Sequence, residues 1–156
     1  MRIFGFLIIA VSLLIVILSA FFGLSLPSAL KGLIDFASLI CVLGPVLGGC
    51  LIAYGSDTYK GCGAIFKPTL SREEAEIAVG VYKLAVRISI GAGFIGVMFG
   101  VIAILGAMGA GNGMDMGALT GGAAVALITA LYGLVFAFTL FLPLQCYFQH
   151  QLGKDS

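Results

Sequence analysis

Four stretches of the chain contain no charged residue, and they leave little else to fold. Ile3–Leu24 gives 22 such residues, Phe36–Tyr54 gives 19 and Ile88–Met108 gives 21, while from Ala118 the next charge is Lys154. A helix rising about 1.5 Å per residue needs about 20 apolar residues to cross a hydrocarbon layer roughly 30 Å thick. It also satisfies its own backbone N–H and C=O groups where no water is present. The last stretch is expected to leave the membrane near Leu144, because Pro143, Gln145, Gln149 and His150 cluster there. The reading is an all-α membrane protein in a single transmembrane domain, residues 1–156. Its four transmembrane helices lie at about 3–24, 36–54, 88–108 and 119–144.

Composition closes off the alternatives. The chain is 61% apolar and 10% charged, against about 25% charged residues in a typical soluble domain. A water-soluble globule of 156 residues has no interior large enough for that apolar content, which excludes a soluble enzyme. A net charge of +1 and a pI near 7.6 leave no basic face for nucleic acid.

Orientation follows from the basic residues. Arg2, the middle segment with Lys60, Lys67, Arg72, Lys83 and Arg87, and Lys154 stand on one side, whereas the other two connections hold only Lys31. Basic residues favour the cytoplasmic side, so both termini and segment 55–87 are expected in the cytoplasm. The first apolar run exceeds the roughly 7–15 residues of a signal-peptide core, so it is read as a retained span.

The reactive side chains form no centre. Cys41 and Cys50 fall within the second span, Cys62 in the cytoplasmic segment and Cys146 near the end of the fourth helix, without a CxxC pair. Met98, Met108, Met114 and Met116 read as flexible apolar filling around a glycine-rich turn rather than as a copper site. In that turn, Gly109–Gly117, Asp115 alone cannot supply the six to eight or so oxygens that calcium takes. His150 lies in the tail away from any Cys, Asp or Glu cluster. No metal, cofactor or catalytic residue is expected.

Segment 55–87 should begin with a glycine-rich turn around Gly61 and Gly63. Ser71 and Glu74 then form a capping box, with Glu73 and Glu74 in the first turn, where the helix dipole favours acids. No breaker follows through Ile77, Val81, Leu84 and Ile88. The third helix is therefore expected to start in the cytoplasm and run unbroken into its span.

Small residues mark two of the spans. On the third, Ser89, Gly93, Gly96, Gly100, Ala103 and Ala107 fall on one stripe; on the fourth, Gly122, Ala126, Thr129, Gly133 and Ala137 do the same. Gly44 and Gly48 make a further GxxxG on the second. Such stripes let helix backbones approach closely in lipid. Hydroxyls are the polar groups at depth: Ser12, Ser19, Ser38, Thr129 and Thr139. Most mid-span hydroxyls bond a carbonyl one turn back. Thr129 stands apart because it sits on the small-residue stripe, where one threonine per subunit would give a ring a polar collar.

No Asp, Glu, Lys, Arg or His lies at the centre of any span. Ion carriers mark their path with such residues, at an insertion cost of about 2.5–3.5 kcal/mol each. Asp35 stands at the outer edge of the second span. The chain alone is therefore not a proton or cation carrier.

At these residues the chain resembles a known family. The fourth span, Gly121-Gly-Ala-Ala-Val-Ala-Leu-Ile-Thr-Ala-Leu-Tyr-Gly-Leu-Val-Phe-Ala and then Leu140-Phe-Leu-Pro-Leu144, resembles the last membrane helix of MotA-type flagellar stator proteins. Leu33-Ile-Asp-Phe-Ala-Ser-Leu-Ile-Cys-Val-Leu-Gly44 is similar to the family's run into its second helix. Phe94-Ile-Gly96 and Gly100 resemble a third-helix pattern shared with TolQ and ExbB. The resemblance implies the larger subunit of an ion-driven motor in the bacterial inner membrane. It would be a homopentamer around a dimer of single-span, MotB/ExbD-like partners that supply the ion-binding aspartate.

Carried over by residue, Thr129 matches the family's fourth-helix channel threonine, and Ala130 stands where many members have a second one. Ile90 lies near the third-helix proline position, and Val97 stands where a threonine often follows the glycine. With Ala126 and Gly133 these are the expected ion-pathway or partner-facing residues; Gly93, Gly96, Gly100 and Gly122 are the expected helix-packing residues. The missing hydroxyls favour protons, with sodium as the alternative ion. The family's rotor-engaging cytoplasmic domain is here reduced to residues 55–87, which points to a shortened stator-like motor with another load. The competing reading is a structural or assembly membrane protein that keeps the fold and conducts nothing.

Overall fold

The computed structural model describes residues 35–67, 70–109 and 116–153. The first span with Ser12 and Ser19, the 110–115 connection with Asp115, and Lys154 lie outside them. Helix α1 covers Phe36–Tyr54, α2 Asp57–Gly63, α3 Arg72–Gly109, α4 Met116–Val135 and α5 Leu142–Leu152. A 3-10 turn, Ala64–Phe66, follows α2, and a π-helical turn, Phe136–Phe141, joins α4 to α5. Among the described residues three helices are long and apolar enough to cross a membrane: Phe36–Tyr54, Arg72–Gly106 and Leu119–Leu152.

Helix α1 has the expected bounds. It stops where Gly55 turns left-handed (φ +54°) and gives its N–H to the Leu51 carbonyl at 2.8 Å. Glycine takes that conformation without the Cβ penalty other residues meet.

The glycine-rich turn expected next is instead the short helix α2. Its buried stripe is Thr58, Gly61 and then Ala64, and a Cβ on Gly61 would stand 3.1 Å from the Val81 side chain and 3.6 Å from the Ala78 Cα. The glycine serves a close helix approach rather than a loop, which local propensity cannot reveal. Thr58 donates to the Cys50 carbonyl at 2.8 Å, tying α2 to α1, while Asp57 and Lys60 pair across one turn at 2.6 Å.

Helix α3 is the unbroken rod expected, 38 residues and so about 57 Å long. Its capping box is formed: the Glu74 N–H donates to Ser71 Oγ at 3.2 Å and the Ser71 N–H to Glu74 Oε2 at 3.3 Å. Lys67 also pairs with the Glu74 carboxylate. These contacts hold that carboxyl below its ordinary range, the Lys67 hydrogen bond first and the Ser71 N–H second.

The helix of the fourth span runs on beyond Leu144, where the membrane part was expected to end, and continues to Leu152. Pro143 has no N–H and would break a regular α-helix. The chain absorbs it by winding the preceding turn wider, with the Leu142 N–H reaching back five residues to the Ala137 carbonyl. Proline then occupies the first turn of α5, where no donor is needed. Beyond it Leu144 and Phe148 are buried, and the Phe148 ring stacks on Tyr82 of α3 with centroids 5.7 Å apart and planes at 8°. The end of the fourth-span helix thus runs beside the charge-bearing start of α3. At the same end Val46 and Cys50 of α1 pack with Val81 and Ala85 of α3.

Candidate functional site

The two small-residue stripes are pressed against each other. A Cβ on Gly93 would lie 3.2 Å from the Gly133 Cα, and one on Gly133 would lie 2.7 Å from the Ser89 carbonyl oxygen. Further along, Gly96 faces Thr129, Gly100 faces Ala126, and Gly122 faces Ile104. Numbers rise on α3 as they fall on α4, so the helices are antiparallel with backbones in near contact. Removing Cβ atoms here replaces side-chain layers with direct backbone packing, which is how helices associate where lipid competes for every apolar surface.

Two hydroxyls sit in this seam. Ser89 Oγ donates to the Gly133 carbonyl at 3.1 Å. Thr129 reaches the Val125 carbonyl one turn back at 2.9 Å and, across to α1, the Ser38 hydroxyl at 2.8 Å. Its single proton serves one of them at a time. Thr129 is 4% exposed and Ser89 fully buried. The hydroxyls at depth therefore do more than bond their own helices: Ser38 and Thr129 join α1 to α4, and Ser89 joins α3 to α4. Sequence reasoning named Ser38 and Thr129 as hydroxyls at depth and Ser89 only as a small stripe residue. It missed the pairing, because partners 91 and 44 residues apart leave no mark in local spacing.

The expected pathway residues fall into two groups. Thr129, Ala126 and Gly133 are buried in the seam with Gly93 and Gly96. Within the chain the α3 stripe covers them. Ile90 and Val97 lie elsewhere, at about 100° of rotation per residue roughly 70–100° around α3 from the seam. Ala130 stands at the seam's edge, its carbonyl oxygen 3.4 Å and its Cα 3.5 Å from where a Cβ on Gly93 would be. Because the helices run antiparallel, the three share one flank of the α3–α4 pair. Ile90 is 39% exposed, and Val97 and Ala130 are half-buried. Helix α1 takes the opposite flank, where a Cβ on Gly49 would meet Ile88 and Cys50 packs on Val81.

The chemistry of this region is narrow. From Ile88 to Gly109 and from Met116 to Gln149 no described residue is acidic, basic or histidine. Among the described residues no three His, Cys, Asp or Glu side chains come together as a metal site, and the four cysteines are free. The open flank offers apolar contact and shape, with hydroxyls and carbonyls one layer behind.

The MotA/TolQ/ExbB proton channel family model matches residues 64–155. That is well over half the chain, covering both helices of the seam, and the chain belongs to this family. No curated protein matches it. The family makes it a multi-pass membrane protein of the proton-channel type, from a transport family whose members form oligomeric channel complexes.

Proposed function

We propose that this MotA/TolQ/ExbB family member is the channel-forming larger subunit of a stator-like membrane motor driven by protons. One observation carries the reading: a proton-channel chain whose α3 and α4 hold no carboxylate at depth must receive its ion-binding group from a partner. Five copies would surround two single-span helices, each bringing an aspartate, in the bacterial inner membrane. The basic residues support four spans with both termini cytoplasmic. The flank of Ile90, Val97 and Ala130 faces the partner helices. Thr129 lies one residue behind Ala130, within reach of the pathway only if the seam shifts. With no second threonine and an apolar Val97, the flank suits protons better than sodium, which needs several oxygen ligands.

The test uses the chain purified with its single-span partner. Cryo-EM should show five-fold symmetry around two central helices, and vesicles holding the complex should take up protons. Changing the partner's aspartate to asparagine should abolish uptake without dissolving the ring. Absence of a five-fold ring refutes the architecture, and uptake that survives the substitution refutes the mechanism. A ring that never conducts would establish the scaffold reading instead. Thr129→Val separates them further, since altered uptake is expected only of a channel.

A further inference from the structure

The connection after α1 carries a row of exposed apolar side chains that the seam does not use. On α2 and its 3-10 turn, Thr58, Gly61 and Ala64 face inward, while Tyr59 is 70% and Phe66 87% exposed. Tyr59 and Phe66 are seven residues apart, two helical turns, and stand opposite the buried stripe. Ile52, near the end of α1, is 89% exposed. Contacts set Ile52 and the middle of α2 at a common height, since Cys50 Sγ lies 3.8 Å from the Val81 carbonyl and Gly61 is pressed on Val81. Ile52 and the middle of α2 therefore both lie level with that turn of α3, while Lys67, next to Phe66, pairs with Glu74 about 10 Å nearer the start of α3.

We infer that Ile52, Tyr59 and Phe66 form a collar that docks in the headgroup layer of the bilayer. Two constraints bracket this height. An exposed isoleucine continuing the charge-free face of α1 keeps it close to the hydrocarbon. Lys83 and Arg87, exposed on α3 and deeper along it than Val81 by up to about 9 Å, must still bring their charges to water, which long basic side chains do by extending toward the interface. The zone satisfying both is the headgroup layer, where aromatic rings concentrate at membrane surfaces. Lys60 and Lys67 flank the rings, but each already has an acid, Asp57 and Glu74. Docking therefore rests on apolar contact and does not require anionic lipid. The inference needs only a multi-pass membrane chain and stands whether or not the ring and its partner helices exist.

The chain contains no tryptophan, so one introduced indole reports on its own position. Phe66→Trp and Tyr59→Trp are made separately in the full chain and reconstituted in phosphatidylcholine vesicles, with Glu73→Trp as the exposed water-side reference. The collar predicts that acyl chains spin-labelled near the headgroup quench the indole of either collar variant more than chains labelled near the bilayer centre. Aqueous iodide should quench both collar variants at most half as well as it quenches the Glu73→Trp reference. Iodide quenching equal to that of the reference, with no effect of either lipid label, overturns the proposal in favour of a water-facing loop. Protection from iodide and from both lipid labels overturns it in favour of a protein occupant, such as a second copy.

Discussion

Substituting Gly133 by alanine tests whether the seam is held by backbone contact. The added methyl would stand 2.7 Å from the Ser89 carbonyl oxygen, 2.9 Å from the Gly93 Cα and 3.2 Å from the Gly93 nitrogen, where ordinary contact begins near 3.4 Å. All three are main-chain atoms and cannot rotate aside, so the helices must separate by roughly half an ångström or more. A gap of about 0.5–1 Å forfeits a quarter to a half of the dispersion energy of the atoms facing it, and overpacking of this kind costs about 1–3 kcal/mol. Stretching the 3.1 Å bond from Ser89 to the Gly133 carbonyl adds about 0.6 kcal/mol, the average for a hydrogen bond between membrane helices. The expected loss is about 1.5–3.5 kcal/mol, read from reversible unfolding in mixed micelles by circular dichroism. Gly121→Ala is the control on the same helix: a Cβ there meets nothing within 4 Å, so stability should hold or rise by up to about 1 kcal/mol. If the two variants agree within about 0.5 kcal/mol, close packing of α3 on α4 is not what holds the pair.

Two further outcomes follow from the charge-bearing end. Phe148→Ala, which removes a ring wholly buried against Tyr82, should cost about 3–5 kcal/mol in the same assay, whereas Phe138→Ala, with its ring half exposed, should stay within about 0.5 kcal/mol of the parent. Glu74 is more acidic folded than unfolded, so its contribution is complete above the ordinary carboxylate pKa and is lost as pH falls through the lowered value. Amide exchange in the first turn of α3, corrected for intrinsic rates, should therefore accelerate in acid, and Glu74→Gln should remove that step; an unchanged acid step in the variant would place its origin elsewhere.

What the chain declares openly is what bilayer physics enforces. The bounds of α1, the capping box at Ser71 and Glu74 and the long uninterrupted α3 were legible because each depends on residues close in sequence. The absence of charge at depth is what the proposal of a partner-supplied ion-binding group rests on. Gly61 was misleading because glycine breaks helices locally and is accommodated here by a non-local contact, while Pro143 stays within a continuing helix. A wider turn absorbs the proline, with the Phe148–Tyr82 stack holding the helix beyond it, and the proximity of Val81 gives Gly61 its role.

Periodicity alone established that α3 and α4 each carry a small-residue stripe. It could not say whether those stripes face each other or a central hole. The tertiary structure decided that by placing Gly93 on Gly133 and Gly96 on Thr129, which turns Thr129 inward toward Ser38 and leaves Ile90, Val97 and Ala130 on the open flank. The physical reason is that a stripe without side chains is attractive only to a surface able to approach equally closely. On this chain the nearest such surface is its own neighbouring helix.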